Sequence, residues 1–389
     1  LQPDHLLALY NLGRSHEDQR QWLPAQAAYE QFLARAPQQL PQYALAHNQL
    51  GNLHKERGEF EAAQQAYDQA LAADPDCALA QYNRSLLLLL RGNLAEGFAQ
   101  YEWRWRSPHY TAPRHTQRPR WQGQPLEAVA GQRLLVHAEQ GLGDTLQCCR
   151  YLPLLQALGA QLIFECQAPL IPLLQQLPGL SLHASNSPLP DFDLQIPLFS
   201  LPGIFYASQG IPAEIPYLTA PPPQRLRLTE PGLKIGLVWA GNPKHRDDAR
   251  RSCPWEHFAQ LLARFPTLQA YSLQTGPRAA DAQAETHAET HTLIALGPEL
   301  QHFADTAEVL GQLDLIISVD TAVVHLAGAL GKPVWVLLAS VPDWRWGLHS
   351  ATSVWYPSAR LFRQPQAGDW EAVFAELAQA LAAWMLAQA

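Results

Sequence analysis

The sequence, 389 residues long, predicts an α-helical repeat array followed by two α/β halves whose parallel sheets face a cleft. Three observations carry that prediction. A helix–turn–helix pattern recurs through the first part of the chain. From residue 133 onward, strand-sized apolar runs alternate with helical patterns, the signature of βα units and parallel sheets. A proline-heavy stretch, 212–231, with Pro221-Pro222-Pro223 inside it, splits the alternating region in two and reads as a stiff hinge.

The repeat is clearest at 44–77, ALAHNQLGNLHKERGEFEAAQQAYDQALAADPDC. Leu50-Gly51, Gly58, Ala63, Tyr67, Ala70 and Pro75 there fall on the 34-residue tetratricopeptide pattern. Gly51, Ala63 and Ala70 are small enough for two antiparallel helices to approach closely. Pro75 ends the second helix, because proline cannot continue one. An earlier copy runs from Leu6, with Leu12-Gly13, Ala25, Tyr29 and Pro37 at matching offsets, and extra residues around Gln39–Gln42 separate the two. A third copy starts near Ala78, with Gly92, Gly97 and Tyr101 in register, and decays into YEWRWRSP. Repeats of this kind present a concave groove, so a protein or peptide partner is expected there.

Residues 1–108 are thus expected to form about three repeats, and 109–132, rich in Pro, Arg, Gln and Gly, a linker. Strands are expected at 133–138, 161–166 and 193–197, and helices at 144–157 and 169–177, in a first α/β half over 133–228. A second half over 229–389 has expected strands at 234–240, 269–273, 314–318 and 334–338. Its expected helices are 255–264, 303–312, 322–330 and a final Ala-rich helix at 369–387. Ligands in such folds sit at the carboxyl ends of the strands.

Composition narrows the partners. Apolar residues make up 47% of the chain, enough for real cores, and the net charge of −8 with no basic tract argues against nucleic acid. No apolar run reaches the length of a membrane span, and LLLLL at 86–90 is far too short. Five cysteines without a C-x-x-C make no disulfide framework, which fits a cytoplasmic location. No basic region followed by an apolar run marks a signal peptide. Leu1 already falls inside a repeat pattern, so the chain is expected to be a piece of a longer one.

Three segments at expected strand ends carry the candidate chemistry. The first is EQGLGDTLQ, 139–147. Gly141 and Gly143 permit a tight turn, but Leu146 stands where a dinucleotide fingerprint needs its third glycine. Asp144 suits either a helix cap or a general base at the cleft, and Glu139 and Gln140 precede the same turn. The second is WAGNPKHRDDARRSCPW, 239–255. Asn242, Lys244, His245, Arg246, Arg250 and Arg251 make it either a phosphate-binding loop or a solvated loop of mixed charge. The third is SVDTAVVHLAGALGKPVWVLL, 318–338. Asp320 and Thr321 can cap a helix whose free N–H groups form an anion site, and His325 lies one turn beyond Thr321. Gln140, Gln274 just past the strand 269–273, and Trp344 and Arg345 in PDWRWG are candidates for base or sugar contacts. His287 and His291 in HAETH lack a third ligand, so no metal site is expected.

Together these residues resemble a known group. EQGLGDTLQ, WAGNPKHRDDARRSCPW, DTAVVHLAGALGKPVWVLL and PDWRWG…WYPSARLFRQ (342–364) are similar to proteins that join tetratricopeptide repeats to a GT-B glycosyltransferase domain. That domain is like glycosyltransferase family 9, the ADP-heptose:lipopolysaccharide heptosyltransferases. The resemblance implies a GT-B fold of two Rossmann-like domains. The 133–228 half would be the acceptor side, and the 229–389 half would bind the nucleotide sugar. It implies an inverting, metal-independent transferase with no cofactor beyond its nucleotide-diphosphate-sugar donor. Asp144 would be the general base, with Glu139 beside it. Gly143, Asn242, Lys244, His245, Arg251, Asp320, Thr321 and His325 would hold the diphosphate. The sequence departs from the heptosyltransferases in its repeats, its Glu139-Gln140 prefix and its shorter first half, so sugar and acceptor do not carry over. Repeats also precede the catalytic region of protein O-GlcNAc transferases, an analogy that points to a protein or peptide acceptor. The alternative from another class is a non-catalytic repeat scaffold with a nucleotide-binding GT-B-like domain.

Overall fold

The structure is a computed structural model, and it describes residues 6–107, 110, 112–245, 247–285 and 293–388. The chain divides into two compact units. One comprises the N-terminal residues up to Arg114 together with Asp343–Leu348; the other comprises His115–Pro342 and the chain from His349 onward.

The first unit is three helical hairpins: α1 (Leu6–Asp18) with α2 (Trp22–Leu33), α3 (Pro41–Glu56) with α4 (Phe60–Ala73), and α5 (Ala78–Leu90) with α6 (Leu94–Tyr101). A small residue on the first helix and a tyrosine on the second explain the pairing. A Cβ on Gly13 would stand 2.6 Å from the Tyr29 ring, and one on Gly51 would run into the Tyr67 ring. Both tyrosines are fully buried. In the third hairpin the buried Ser85 and Tyr101 take the same places.

The second unit holds two parallel sheets. The first has order β3-β2-β1-β4, from β1 (Arg133–His137), β2 (Gln161–Cys166), β3 (Leu180–Ala184) and β4 (Leu194–Pro197). Between its strands lie α7 (Leu142–Cys148), α8 (Leu152–Ala157) and α9 (Ile171–Leu174), and α10 (Leu201–Gln209) follows β4. The second sheet has order β10-β9-β8-β5-β6-β7. Its strands are β5 (Lys234–Val238), β6 (Gln269–Ser272), β7 (Leu293–Ala295), β8 (Leu315–Val319), β9 (Val334–Leu338) and β10 (Ala359–Arg363). Its helices are α11 (Asp248–Arg251), α12 (Trp255–Arg264), α13 (Phe303–Gln312), α14 (Ala322–Ala329) and α15 (Trp370–Gln388). All five residues of both β8 and β9 are buried, as strands covered on both faces must be. Trp239, Trp255 and Phe258 pack under the second sheet with Val373, Phe374 and Leu377 of α15.

Two expectations need correction here. The expected linker 109–132 is in its later part a piece of the α/β unit. Arg120 bridges Gln195 of β4 in parallel, Trp121 N–H donates to Gln195 O at 3.0 Å, and Trp121 and Val129 are buried. The expected helix 144–157 is broken, with a 3₁₀ turn at Cys149–Tyr151 between α7 and α8. The hinge is pinned rather than loose. Glu308 Oε1 accepts the N–H groups of Gln224, Arg225 and Leu226 at 2.7–2.8 Å, and the Gln176 amide bonds both N–H and C=O of Thr219.

Candidate active site

Both sheets reverse strand order beside their first strand, at β1/β4 and at β5/β8, and such switch points are where open α/β sheets hold ligands. The loops after β1, β5 and β8 are the three segments singled out in the sequence.

After β1 the chain turns at Gly141, the residue before α7, whose φ of −72° and ψ of 173° are extended backbone open to any residue. Gly143 is the position that needs glycine, and the reason is a close approach. A Cβ there would stand 2.7 Å from His325 Cδ2 and 3.4 Å from Ala322 Cα. The first loop therefore rests directly on the start of α14. Asp144 sits in the first turn of α7, half-buried, and its Oδ2 accepts Gly141 N–H at 2.7 Å. Gln167, just after β2, braces the turn: its Nε2 donates to Gln140 O at 2.7 Å and its Oε1 accepts from Thr145 Oγ1 at 2.9 Å. Glu139 Oε2 lies 3.5 Å from Phe199 N, in the loop after β4.

After β5 the backbone is held by Gln274. Its Oε1 accepts Trp239 N–H (3.1 Å) and Ala240 N–H (2.9 Å), while its Nε2 donates to the carbonyls of Ala240 and Thr275 (both 3.1 Å). Gln274 is buried, and all four bonds go to backbone. The expectation that it reads a base or sugar is corrected: its amide shapes the loop. Gly241 N–H donates to Ser252 Oγ at 3.0 Å, and Ser252 Oγ donates to Asp248 Oδ1 at 2.9 Å. The Arg251 guanidinium lies flat against Gly241, where a Cβ would stand 2.7 Å from Nε and 2.8 Å from Cζ. Asp248 Oδ1 is 3.7 Å from that Nε, which is buried with no hydrogen-bond acceptor among the described residues. Asn242, Lys244 and His245 are exposed further along the loop. Asn242 Oδ1 accepts Lys244 N–H at 3.0 Å, and His245 Nδ1 accepts Asp247 N–H at 3.2 Å.

After β8 comes half-buried Asp320, then Thr321 in extended conformation at the N-cap of α14. Its hydroxyl does not cap the helix, contrary to expectation, but shares a 3.1 Å bond with Ser318 Oγ. His325 is buried, with Nδ1 2.9 Å from Tyr356 Oη. Burial holds the Tyr356 phenol far above its ordinary range, so it stays protonated.

One residue at this junction escaped the sequence reading. Arg150, in the 3₁₀ turn after α7, is buried and donates to Gln147 O (3.1 Å), Trp355 O (3.0 Å) and Tyr217 Oη (3.1 Å). Its Cζ lies over the rings of Tyr217, Tyr356 and Trp355 at 4.6, 5.0 and 5.7 Å. An arginine inside the otherwise uncharged run LQCCRYLPLL was the available signal. Cys149 and Cys166 nearby are no nucleophiles at neutral pH, since burial pushes both thiols up to about 12.

Trp344 and Arg345 are also corrected. They belong to the repeat unit, where Trp344 meets Phe98 edge-on at 5.7 Å and Arg345 Nη1 donates to Asp343 Oδ1 at 2.7 Å. Arg246, His287 and His291 lie outside the described residues. Among the described residues no group of three His, Cys, Asp or Glu is placed to hold a metal ion, and no helix is long and apolar enough to cross a membrane.

Residues 48–103 match the Tetratricopeptide repeat family, and residues 244–366 match Glycosyltransferase family 9 (heptosyltransferase). The second match contains Lys244, Arg251, Thr321 and His325 but not Asp144. Protein FlbA of Caulobacter vibrioides is 30% identical over 340 residues, which cover 79% of this chain and 55% of that protein; the chain thus spans about half the length of this curated relative. A glycosyl transferase family 9 protein of Veillonella parvula superposes with a TM-score of 0.47 at 12% identity, covering 66% of this chain and 98% of the other. The ADP-heptose LPS heptosyltransferase II of E. coli does so with a TM-score of 0.47 at 14% identity, covering 66% and 99%.

Proposed function

We propose that this chain, in which tetratricopeptide repeats precede a family 9 glycosyltransferase domain, transfers a sugar from a nucleotide-diphosphate sugar to a protein, peptide or glycan acceptor. Transfer inverts the anomeric carbon and uses no metal ion. The observation that carries the reading is the apposition of Gly143 and His325, which sets the turn bearing Asp144 against the N-terminus of α14. Asp144 takes the proton of the acceptor hydroxyl. The acceptor oxygen then bonds to the anomeric carbon from the face opposite the diphosphate. The carbon–oxygen bond to the diphosphate breaks, and its electron pair leaves on the diphosphate oxygen. The N–H groups at the start of α14, left uncapped by Thr321, and the Arg251 guanidinium stabilise that charge. Lys244 and His245 close over it from the exposed loop, and the repeats bring a protein or peptide partner. Five free, buried cysteines suit a reducing cytoplasm.

A second reading has one observation in its favour. Asp144 Oδ2 bonds Gly141 N–H, which is what a mere helix cap does in a scaffold that binds nucleotide without turnover. The Asp144→Asn variant separates the two, with donor hydrolysis as the readout where no acceptor is supplied. As base, its loss slows donor consumption by about 10²–10⁴-fold while nucleotide affinity stays put. A fully active variant would pass the role to Glu139. Wild-type protein that binds nucleotide but consumes no sugar nucleotide would support the scaffold.

A further inference from the structure

Arg150 is a buried cation for which the described residues provide no carboxylate partner: its bonds go to two backbone carbonyls and one phenol, and its faces to three aromatic rings. A buried guanidinium stays charged and is costly to desolvate, so packing alone would favour an apolar residue of similar size. Its partners come from three parts of the α/β unit. Gln147 lies in α7, the helix whose first turn carries Asp144; Tyr217 lies in the hinge; Trp355 and Tyr356 precede β10. Tyr217 Oη accepts from Arg150, so its own proton goes to Leu146 O at 2.9 Å, again in α7. Tyr356, whose ring lies 5.0 Å from the Arg150 Cζ, has its hydroxyl 2.9 Å from His325 Nδ1. The other edge of that imidazole, Cδ2 and Nε2, faces Gly143.

We propose that Arg150 is a positioning residue. Anchored by the Tyr217 hydroxyl and stacked on the Tyr356 ring, it holds the His325 imidazole with Nδ1 turned into the protein and Nε2 toward the Asp144 turn. It thereby fixes one tautomer and one spacing between the two sheets' binding loops. Hydrogen bonding at one ring nitrogen decides which proton the other carries. The proposal deepens the glycosyltransferase reading and rests on it for the use His325 is put to, but the ring's state is measured without turnover.

The test is ¹⁵N NMR of histidine-labelled protein, with His325 assigned by its loss in His325→Gln, across wild type, Arg150→Met, Arg150→Lys and Tyr217→Phe. Nucleotide-diphosphate titration runs in parallel. Wild type is expected to show a single His325 tautomer with Nδ1 hydrogen-bonded. Arg150→Met and Tyr217→Phe are expected to mix the tautomers and weaken nucleotide binding about tenfold, and Arg150→Lys to restore the charge but only part of the ordering. If Arg150→Met does not fold, Tyr217→Phe alone decides, because it keeps the cation and removes the hydroxyl that anchors it beside Tyr356. A folded variant whose His325 signals are those of wild type overturns the proposal and leaves Arg150 as a structural clamp. A wild type that binds no nucleotide while its His325 responds to these substitutions overturns the glycosyltransferase reading instead.

Discussion

Replacing Gly143 by alanine adds one methyl group at the point where the first loop meets α14. The new carbon would stand 2.7 Å from His325 Cδ2, 3.4 Å from Ala322 Cα and 3.4 Å from His325 Nε2. Carbon atoms rest at about 3.5–4.0 Å, so the ring or the loop must yield by roughly 1 Å. The ring cannot swing freely, because Nδ1 is bonded to buried Tyr356, and Ala322 Cα is backbone. Overpacking of this kind costs about 1–3 kcal/mol. Against it, Gly143 lies within α7 and has no left-handed φ, so alanine recovers about 1 kcal/mol of helix propensity. The net stability loss is therefore about 0–2 kcal/mol, a modest shift in a urea melt. A 1 Å displacement of binding groups costs turnover about 10²-fold. We therefore expect Gly143→Ala to fold, to melt slightly early and to lose most of its donor consumption. A folded Gly143→Ala with wild-type turnover would refute the claim that this contact sets the site.

Two further outcomes follow from single residues. Gln274→Ala strands the Trp239 and Ala240 N–H groups in the core, and unmade buried hydrogen bonds cost about 1–3 kcal/mol each. A denaturant midpoint unchanged from wild type would contradict the loop-shaping role given to this amide. Asp305 is buried, which disfavours its charge, yet Arg225 and the N–H groups of Gln301 and His302 hold its carboxyl below the ordinary range. A depressed folded pKa adds stability that is complete above the unfolded value of about 3.9 and is lost as pH falls through the folded one. Acid melts should thus separate wild type from Asp305→Asn at neutral pH and draw them together below that value; a constant gap would contradict the ion pair's part.

Much of the fold can be read from the chain because its central strands are continuous apolar runs: Leu315–Val319 and Val334–Leu338 are strands where the sequence places them. The strands it hides are β3, β7 and β10. Leu180–Ala184 is half-exposed, Leu293–Ala295 has three residues, and Ala359–Arg363 carries two arginines; all three lie at sheet edges, where one side needs no apolar cover. Pro202 and Gly203 mask α10. At the site, Asp144, Arg251 and His325 stand out because a charged or titratable group at a strand end is chemically conspicuous. The contact of Gly143 with His325 is invisible, since no local pattern reports which distant residue fills the space a glycine leaves. Trp344 misleads for the same reason: it follows β9 in sequence, yet it packs on Phe98 of the repeats, while Arg345 pairs with neighbouring Asp343.

The central claim is that the loops after β5 and β8 hold a nucleotide diphosphate opposite Asp144. Calorimetric titration of wild type and Arg251→Ala with ADP, GDP and UDP tests it most directly. The account predicts that at least one of the three binds wild type. It also predicts that removing the guanidinium, whose hydrogen bonds to a charged group are worth about 1.5–3 kcal/mol, weakens that binding about tenfold or more. No binding by any of the three, or equal binding by both proteins, would contradict it.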